Sequence, residues 1–409
     1  MTTRVSPRIP RRLYLTIVAG ALIMSVAMGI RQSYGLILGP GAVEWGLSLS
    51  TLALAIALHN LVWGLAQPVA GAMADRYGAT PVVVVGAIAL ASGLALTALL
   101  PGLWAAMLGT GVLVGIGLSC TTFGTVLTAV GRAAPPERRT SMMGLASAIG
   151  SIGSATVVPL SQFMIEADGV AAAVTNLALA MLLAAPLAFA FLATDRQAAQ
   201  VPVTLTRQLS LGEALREAAS HRGYILLTLG FFTCGFQLAF FAVHFPSYLV
   251  TCHLPVSVGA AALAVYGASN TFGSWFCGQL GTWYRPQYVL AWIYIVRGLA
   301  IVALVFLPKT ELVALGFAGV LGLLGLGTVP LTSGLIARIF GTSNLGMLFG
   351  LCFLNHQIGS FMGAWAGGWL FERTGSFDPI WLATAAAGGI AALLHFPIRD
   401  EPVTRPALA

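Results

Sequence analysis

Charge is what this 409-residue chain has least of. Only 8% of its residues are Asp, Glu, Lys or Arg, where an ordinary soluble domain carries about 25%. Lysine is almost missing, with Lys309 alone beside nineteen arginines. Hydrophobic residues make up 58% and the mean hydropathy is +0.89, so polar groups are too few to cover a folded chain in water. These shortages exclude a water-soluble enzyme, a disordered chain and a nucleic-acid-binding domain. The net charge of +7 comes from scattered arginines without a basic patch, so no nucleic-acid partner is expected. The five cysteines (Cys120, Cys234, Cys252, Cys277, Cys352) form no C-x-x-C pair. A disulfide framework or a metal site is not expected, and they read as small apolar fillers. No H-E-x-x-H, paired intramembrane acids or activated nucleophile is found, so the chain does not read as an enzyme. The glycine-rich runs near Gly111–Gly117 and Gly322–Gly327 lie inside apolar segments with no preceding strand, so no nucleotide cofactor is implied.

What the sequence has is long apolar runs, of the roughly 20 residues that a bilayer-crossing helix needs. They number twelve, at 14–39, 49–72, 81–101, 104–130, 141–165, 170–193, 223–250, 257–280, 287–307, 311–335, 345–371 and 379–397. Barrel strands would alternate apolar and polar residues instead, so the fold class is all-α membrane protein. A polar stretch at 194–222, whose LSLGEALREAAS segment suits a surface helix, separates an N-terminal six-helix bundle (1–193) from a C-terminal one (223–409). Basic residues orient the spans. Arg4, Arg8, Arg11 and Arg12, the even-numbered connections (Arg76; Arg132, Arg138, Arg139; Arg196, Arg207, Arg216, Arg222; Arg285; Arg338) and the tail (Arg399, Arg405) all fall on one side, against Lys309 and Arg373 on the other. Both termini are therefore expected in the cytoplasm, with RIPRRLYL leading into an uncleaved first span. The arginine, alanine and glycine bias points to a GC-rich bacterium and its inner membrane.

The halves repeat. GVLVGIGL from Gly111 matches GVLGLLGL from Gly319, GLASAIGSIGS from Gly144 matches GLCFLNHQIGS from Gly350, and Gly71 matches Gly278. The near-constant offset of about 207 argues for duplication of a six-span unit in parallel orientation. After span two the chain reads GAMADRYGATP. Gly71 permits close helix contact and Gly78 a tight turn. Asp75 suits the exposed N–H groups of a helix start, and Arg76 offers a planar fork. This stretch resembles the G-x-x-x-D-R-x-G-[RK]-[RK] signature of the major facilitator superfamily, although Ala79 and Thr80 hold its two basic positions and Thr282 replaces the acid in the second copy. The resemblance implies a conformational latch at Gly71, Asp75, Arg76 and Gly78. It also implies two bundles rocking about a site near the midplane, with spans 3, 6, 9 and 12 peripheral.

The residues within the spans suggest a cargo. All 13 acids fall outside or at the ends of the runs, whereas Arg31 and Arg297 lie within them, with His59, His244 and His356. Intramembrane ionisable groups are costly and mark function by default. A basic cavity without acids favours an anion, and any proton coupling would fall to histidine. Arg31, with Tyr34 one turn on, reads as a carboxylate clamp or as an arginine reaching the interface. Asn355, His356 and Gln357 are three consecutive polar residues near mid-membrane, and Asn355 also continues a Gly359, Gly363, Gly367 packing face. His59 suits a ligand or a structural pair with Asn60 equally well. His244, with Gln237, is open in the same way, and Asn270 is the polar residue of span eight. Arg297 reads as bonding carbonyls or Asn270, or packing under Trp292 and Tyr294. Pro330 and Gly327 mark a bend in span ten. Among facilitators the chain is similar to the monocarboxylate porter and oxalate/formate antiporter branch, with His356 near that branch's span-eleven lysine. The expected function is secondary transport of a small organic anion, a monocarboxylate, by a monomer in the lipid bilayer, as symport or antiport. The alternative is an exporter of drugs or other metabolites.

Overall fold

The computed structural model describes residues 11–100, 102–200 and 209–403. Arg4, Arg8, Arg207 and Arg405 of the topology argument lie outside them. The described chain is almost entirely helical. Its long elements are α1 (Arg11–Glu44), α2 (Leu49–Tyr77), α3 (Ala79–Leu99), α4 (Leu103–Ala133), α5 (Arg139–Asp168), α6 (Val170–Arg196), α7 (Arg222–Thr251), α8 (Val256–Trp283), α9 (Pro286–Phe306), α10 (Glu311–Phe340), α11 (Leu345–Thr374) and α12 (Asp378–His395). Ten are long and apolar enough to cross a membrane. The other two, α8 and α12, complete the two six-helix bundles.

Helix ends follow from local chemistry. Glu44, closing α1, accepts the free N–H groups of Val170 and Ala171 at the start of α6, at 2.7 and 2.9 Å. Asp195, near the end of α6, does the same for Ala79 and Thr80 at the start of α3, at 2.9 and 3.0 Å. An anion at a helix N-terminus satisfies orphan donors and opposes the dipole. At the end of α9, Lys309 supplies the reverse, donating to the carbonyls of Leu304, Val305 and Leu307. Between α6 and α7 a short helix, Leu211–Ser220, starts at a Ser210–Glu213 capping box and buries Ala214 and Ala218.

Two helices are interrupted at related places in the repeat. In α4 the backbone leaves helical geometry at Thr122 (φ −117°, ψ −149°). In α10 it breaks at residues 325–327, between helical pieces Glu311–Leu324 and Thr328–Phe340. The expected bend in span ten is thus a break, and Pro330 sits in the first turn of the second piece, where its missing N–H costs nothing. Pro40, Pro68, Pro159 and Pro246 are carried through continuous helix.

The halves meet chiefly where α2 lies along α11 and α5 along α8. Both crossings need glycine. A Cβ at Gly71 would stand 2.0 Å from the Gly346 carbonyl oxygen, and one at Gly278 would stand 2.8 Å from Gly144 Cα. Backbone-to-backbone approach of this kind is how small residues bring membrane helices together. The outward faces carry exposed Leu183, Leu299, Phe306 and Leu393, an apolar exterior that only lipid would cover.

The turn motif differs from its sequence reading in one respect. The helix of α2 runs on to Tyr77, so Gly71, Asp75 and Arg76 are helical and only Gly78 (φ +90°) forms the turn.

Candidate functional site

The two intramembrane arginines have opposite surroundings. Arg297, on α9, is fully buried. Its Nη2 donates to the carbonyls of Leu324 and Gly325, its Nη1 to Cys234 Sγ at 3.5 Å, and the guanidinium lies over the Tyr294 ring. Those carbonyls are the negative end of the first half of α10, so the cation is compensated where it sits. Asn270 of α8 holds the other lip of the break, its Oδ1 accepting from Leu326 N–H at 2.8 Å. Of the contacts expected for Arg297, the carbonyls and Tyr294 are found. Trp292 is 60% exposed and faces outward, and Asn270 meets Leu326 instead. Cys234, expected as filler, also bonds Thr328 at 3.1 Å.

Arg31, on α1, has no such compensation. Its Nη1 donates to Gln32 Oε1 at 3.0 Å and its Nη2 to Asn60 Oδ1 at 3.3 Å. Its Nε, like that of Arg297, is buried without a partner, and the guanidinium stands 5.2 Å from the Trp63 ring centre. The protein supplies neutral amides and an aromatic face to a full positive charge. No acid pairs with it among the described residues.

A polar chain leads from Arg31 across the interface. Asn60 takes the Arg31 bond on its side chain and a bond from Gln357 Nε2 on its carbonyl, at 3.2 Å. Gln357 Oε1 meets His356 Nδ1 at 3.2 Å. Arg31, Asn60, Gln357 and His356 are thus brought together. His356 lies against Phe231 and Phe353, with ring centres at 4.9 and 5.3 Å, and its Nε2 is buried and unpartnered. Phe353 in turn packs on Trp63 and Phe123 from the other half, an aromatic plug between the polar chain and the Asp75 end.

The remaining candidates stand apart from this group. Tyr34 is buried, with its hydroxyl on Thr110 at 3.2 Å and its ring beside His59. His59 is 1% exposed inside the first half. Asn355 turns away to donate to the Thr228 carbonyl at 2.6 Å. His244 meets the Ala364 carbonyl at 2.7 Å and packs against Gly367. Asn270 reaches Ser151 of the other half at 3.4 Å.

At the latch motif, Asp75 accepts from Gly346 and Met347 N–H, at 3.0 and 2.8 Å, where α11 begins. Its cationic partner is Arg132 of α4, at 2.6 Å with both side chains buried. Arg132 also donates to the carbonyls of Thr342 and Ser343. Arg76, which the motif implied as part of the latch, is exposed and lies over Tyr77. The repeat held a signal for Arg132, since Arg338 follows it at an offset of 206. With Thr282 in place of an acid, Arg338 instead pairs with Asp400, at 2.8 Å, as does Arg285.

Comparison with known proteins agrees with this architecture. The profile of the Major Facilitator Superfamily matches residues 13–329. The chain is 27% identical to mouse (Mus musculus) monocarboxylate transporter 11, covering 90% of this chain and 83% of that one. It is 24% identical to the oxalate:formate antiporter of Oxalobacter formigenes, covering 95% and 93%. It is 23% identical to the fujikurins efflux protein of Gibberella fujikuroi, covering 80% and 68%. In fold it is similar to a bacterial homologue of the iron transporter ferroportin in an outward-facing state, with TM-score 0.74, 16% identity, and 94% and 98% of the two chains covered. The chain belongs to the Major Facilitator Superfamily and is a multi-pass membrane transporter of small molecules.

Proposed function

We propose that the cargo is a small organic anion, a monocarboxylate, carried by alternating access and gripped first by Arg31. The observation that carries this is the contrast between the two arginines. Arg297 is compensated by the carbonyls of a helix end, while Arg31 has a full charge and only neutral amide neighbours. Leaving a cation unpaired in a low-dielectric site costs several kcal/mol, and a carboxylate at Arg31 recovers that cost through charge-assisted bonds. The monocarboxylate and oxalate:formate relatives support the same cargo class.

The conformation is read as outward-facing. Among the described residues, hydrogen bonds between the halves run from Asp75–Met347, Arg132–Ser343 and Ser141–Gln279 to Asn60–Gln357 and Ser151–Asn270 at mid-membrane. The latch of Gly71, Asp75 and Gly78, with Arg132, and the Trp63–Phe353–Phe123 plug close the side assigned to the cytoplasm. We place the protein in the inner membrane, as a monomer with cytoplasmic termini. Any proton coupling runs through His356, whose Nε2 is free. A second reading, export of apolar metabolites, is favoured by the aromatic plug and by the efflux relative.

Uptake of labelled small carboxylates into proteoliposomes tests the reading. Saturable uptake that Arg31→Gln abolishes is expected. Uptake unchanged by Arg31→Gln and by His356→Ala together would refute the site. Extrusion of hydrophobic dyes without carboxylate uptake would establish the second reading.

A further inference from the structure

Elsewhere the chain answers an enclosed arginine with an acid or a helix end. Arg132 meets Asp75 at 2.6 Å, and Arg297 meets the carbonyls of Leu324 and Gly325. Arg31 meets Asn60, whose Oδ1 accepts from Nη2 at 3.3 Å. Asparagine has the shape of aspartate and lacks its charge. Position 60 is therefore where a neutralising acid would fit, and the chain places an amide there.

The Asn60 amide can stand only one way. Its Nδ2 donates to the Ile56 carbonyl at 3.0 Å, one turn back on α2. That leaves Oδ1 for Arg31, whose guanidinium has donors only. Trp63, one turn further along α2, sets its ring 5.2 Å from the guanidinium. The indole is held in turn, its N–H donating to Gln67 Oε1 at 3.0 Å, while Gln67 Nε2 donates to the Ser119 carbonyl of α4 at 2.9 Å. Both groups of α2 attract a cation, and neither cancels its charge. The turn that carries Asn60 is pinned to the other half, since Gln357 Nε2 donates to the Asn60 carbonyl at 3.2 Å. Gly64 makes room for that approach, because a Cβ there would stand 2.8 Å from Gln357 Cβ. Arg31 itself is half-buried and keeps N–H donors beyond those that Gln32 and Asn60 accept from.

Resting on the anion reading above, we propose that Asn60 sets the charge selectivity of the site. It is a positioning residue, which aims Arg31 through a neutral oxygen and leaves the positive charge to the cargo. With an acid at position 60 the guanidinium would already be paired, and a carboxylate solute would have to displace that partner. With no acceptor there the guanidinium would lose its orientation, and binding would have to restore it.

The test uses purified full-length protein with acetate, lactate, pyruvate and benzoate as probes, each read by thermal shift and by proteoliposome uptake of the labelled probe. Asn60→Asp keeps the shape and adds the missing charge. It should raise KM for carboxylate uptake by at least about tenfold and remove the thermal shift, while the midpoint without probe does not fall. Asn60→Ala removes the oxygen and adds no charge. It should raise KM by about tenfold or less, with kcat within about twofold. A merely structural Asn60 predicts the reverse order, since aspartate fits its place and alanine empties it. Carboxylate uptake by Asn60→Asp at the wild-type KM, or a smaller rise in KM for Asp than for Ala, overturns the proposal. If Arg31→Gln abolishes uptake in that case, the anion reading stands without it. Should Asn60→Asp not fold, the Ala variant decides alone, and an unchanged KM overturns the proposal. If none of the probes shifts or crosses with the wild-type protein, the anion reading fails and the role of Asn60 fails with it.

Discussion

Replacing Asp75 with Asn should open the side of the molecule that the latch closes. Asp75 accepts two N–H bonds from the first turn of α11, at 3.0 and 2.8 Å, and both must break for α2 and α11 to part. Each bond to the carboxylate contributes about 1.5–3 kcal/mol. Asn keeps one neutral acceptor, and Arg132 keeps its bonds to the Ala74, Thr342 and Ser343 carbonyls. The closed state should then lose about 3 kcal/mol, a population change of about 150-fold. Spin labels at Tyr77→Cys and Tyr284→Cys report it, since both residues are exposed, at 60% and 63%, on the ends of α2 and α8. Cys120, Cys234, Cys277 and Cys352 are buried, and half-buried Cys252 is replaced by Ser. Asp75→Asn should move the distance distribution from its short to its long population. A distribution identical to wild type would show that the carboxylate does not hold the halves together.

The two arginines should separate by assay: Arg297→Met removes the bonds that satisfy the carbonyls at the α10 break and should lower the thermal midpoint by several degrees, whereas Arg31→Met should spare the midpoint and abolish carboxylate uptake. Equal effects of the two on stability would contradict the compensation argument. Gly71→Ala places a Cβ 2.0 Å from the Gly346 oxygen, a backbone atom that cannot rotate away, so it should cost about 1–3 kcal/mol and open the same labelled distance. An unchanged melting curve and distance would mean that the helices are not in contact there. Burial alone would raise the Asp400 carboxyl, but bonds from Arg285, Arg338 and Gln287 outweigh it and hold the carboxyl well below the usual carboxylate range. A depressed value contributes stability that is full above the unfolded carboxylate value, about 3.9, and is lost as pH falls through the folded one. Asp400→Asn should thus destabilise at neutral pH, and its difference from wild type should shrink below about pH 4. A difference that is constant with pH in thermal unfolding would exclude the ion pairs as its source.

The sequence alone settles the fold class, because bilayer physics demands long apolar runs with internally satisfied backbones, and such runs are visible without contacts. The repeat and the Gly71–Gly78 motif are also legible, since both are matters of residue order. Helix continuity through Arg76 is not, because Asp195, far along the chain, caps the next helix and sets where the turn falls. The same holds for partners. Charge composition singles out Arg31 and Arg297 equally. Only the tertiary structure shows that one meets the carbonyl end of a broken helix and the other meets amides and an indole ring. Arg132, rather than the adjacent Arg76, faces Asp75 because the end of α4 points at the α2–α11 crossing while Arg76 points outward. Hydropathy is a property of each segment by itself and survives in one dimension. Compensation of charge depends on which segments meet, and that is decided only when the twelve helices pack.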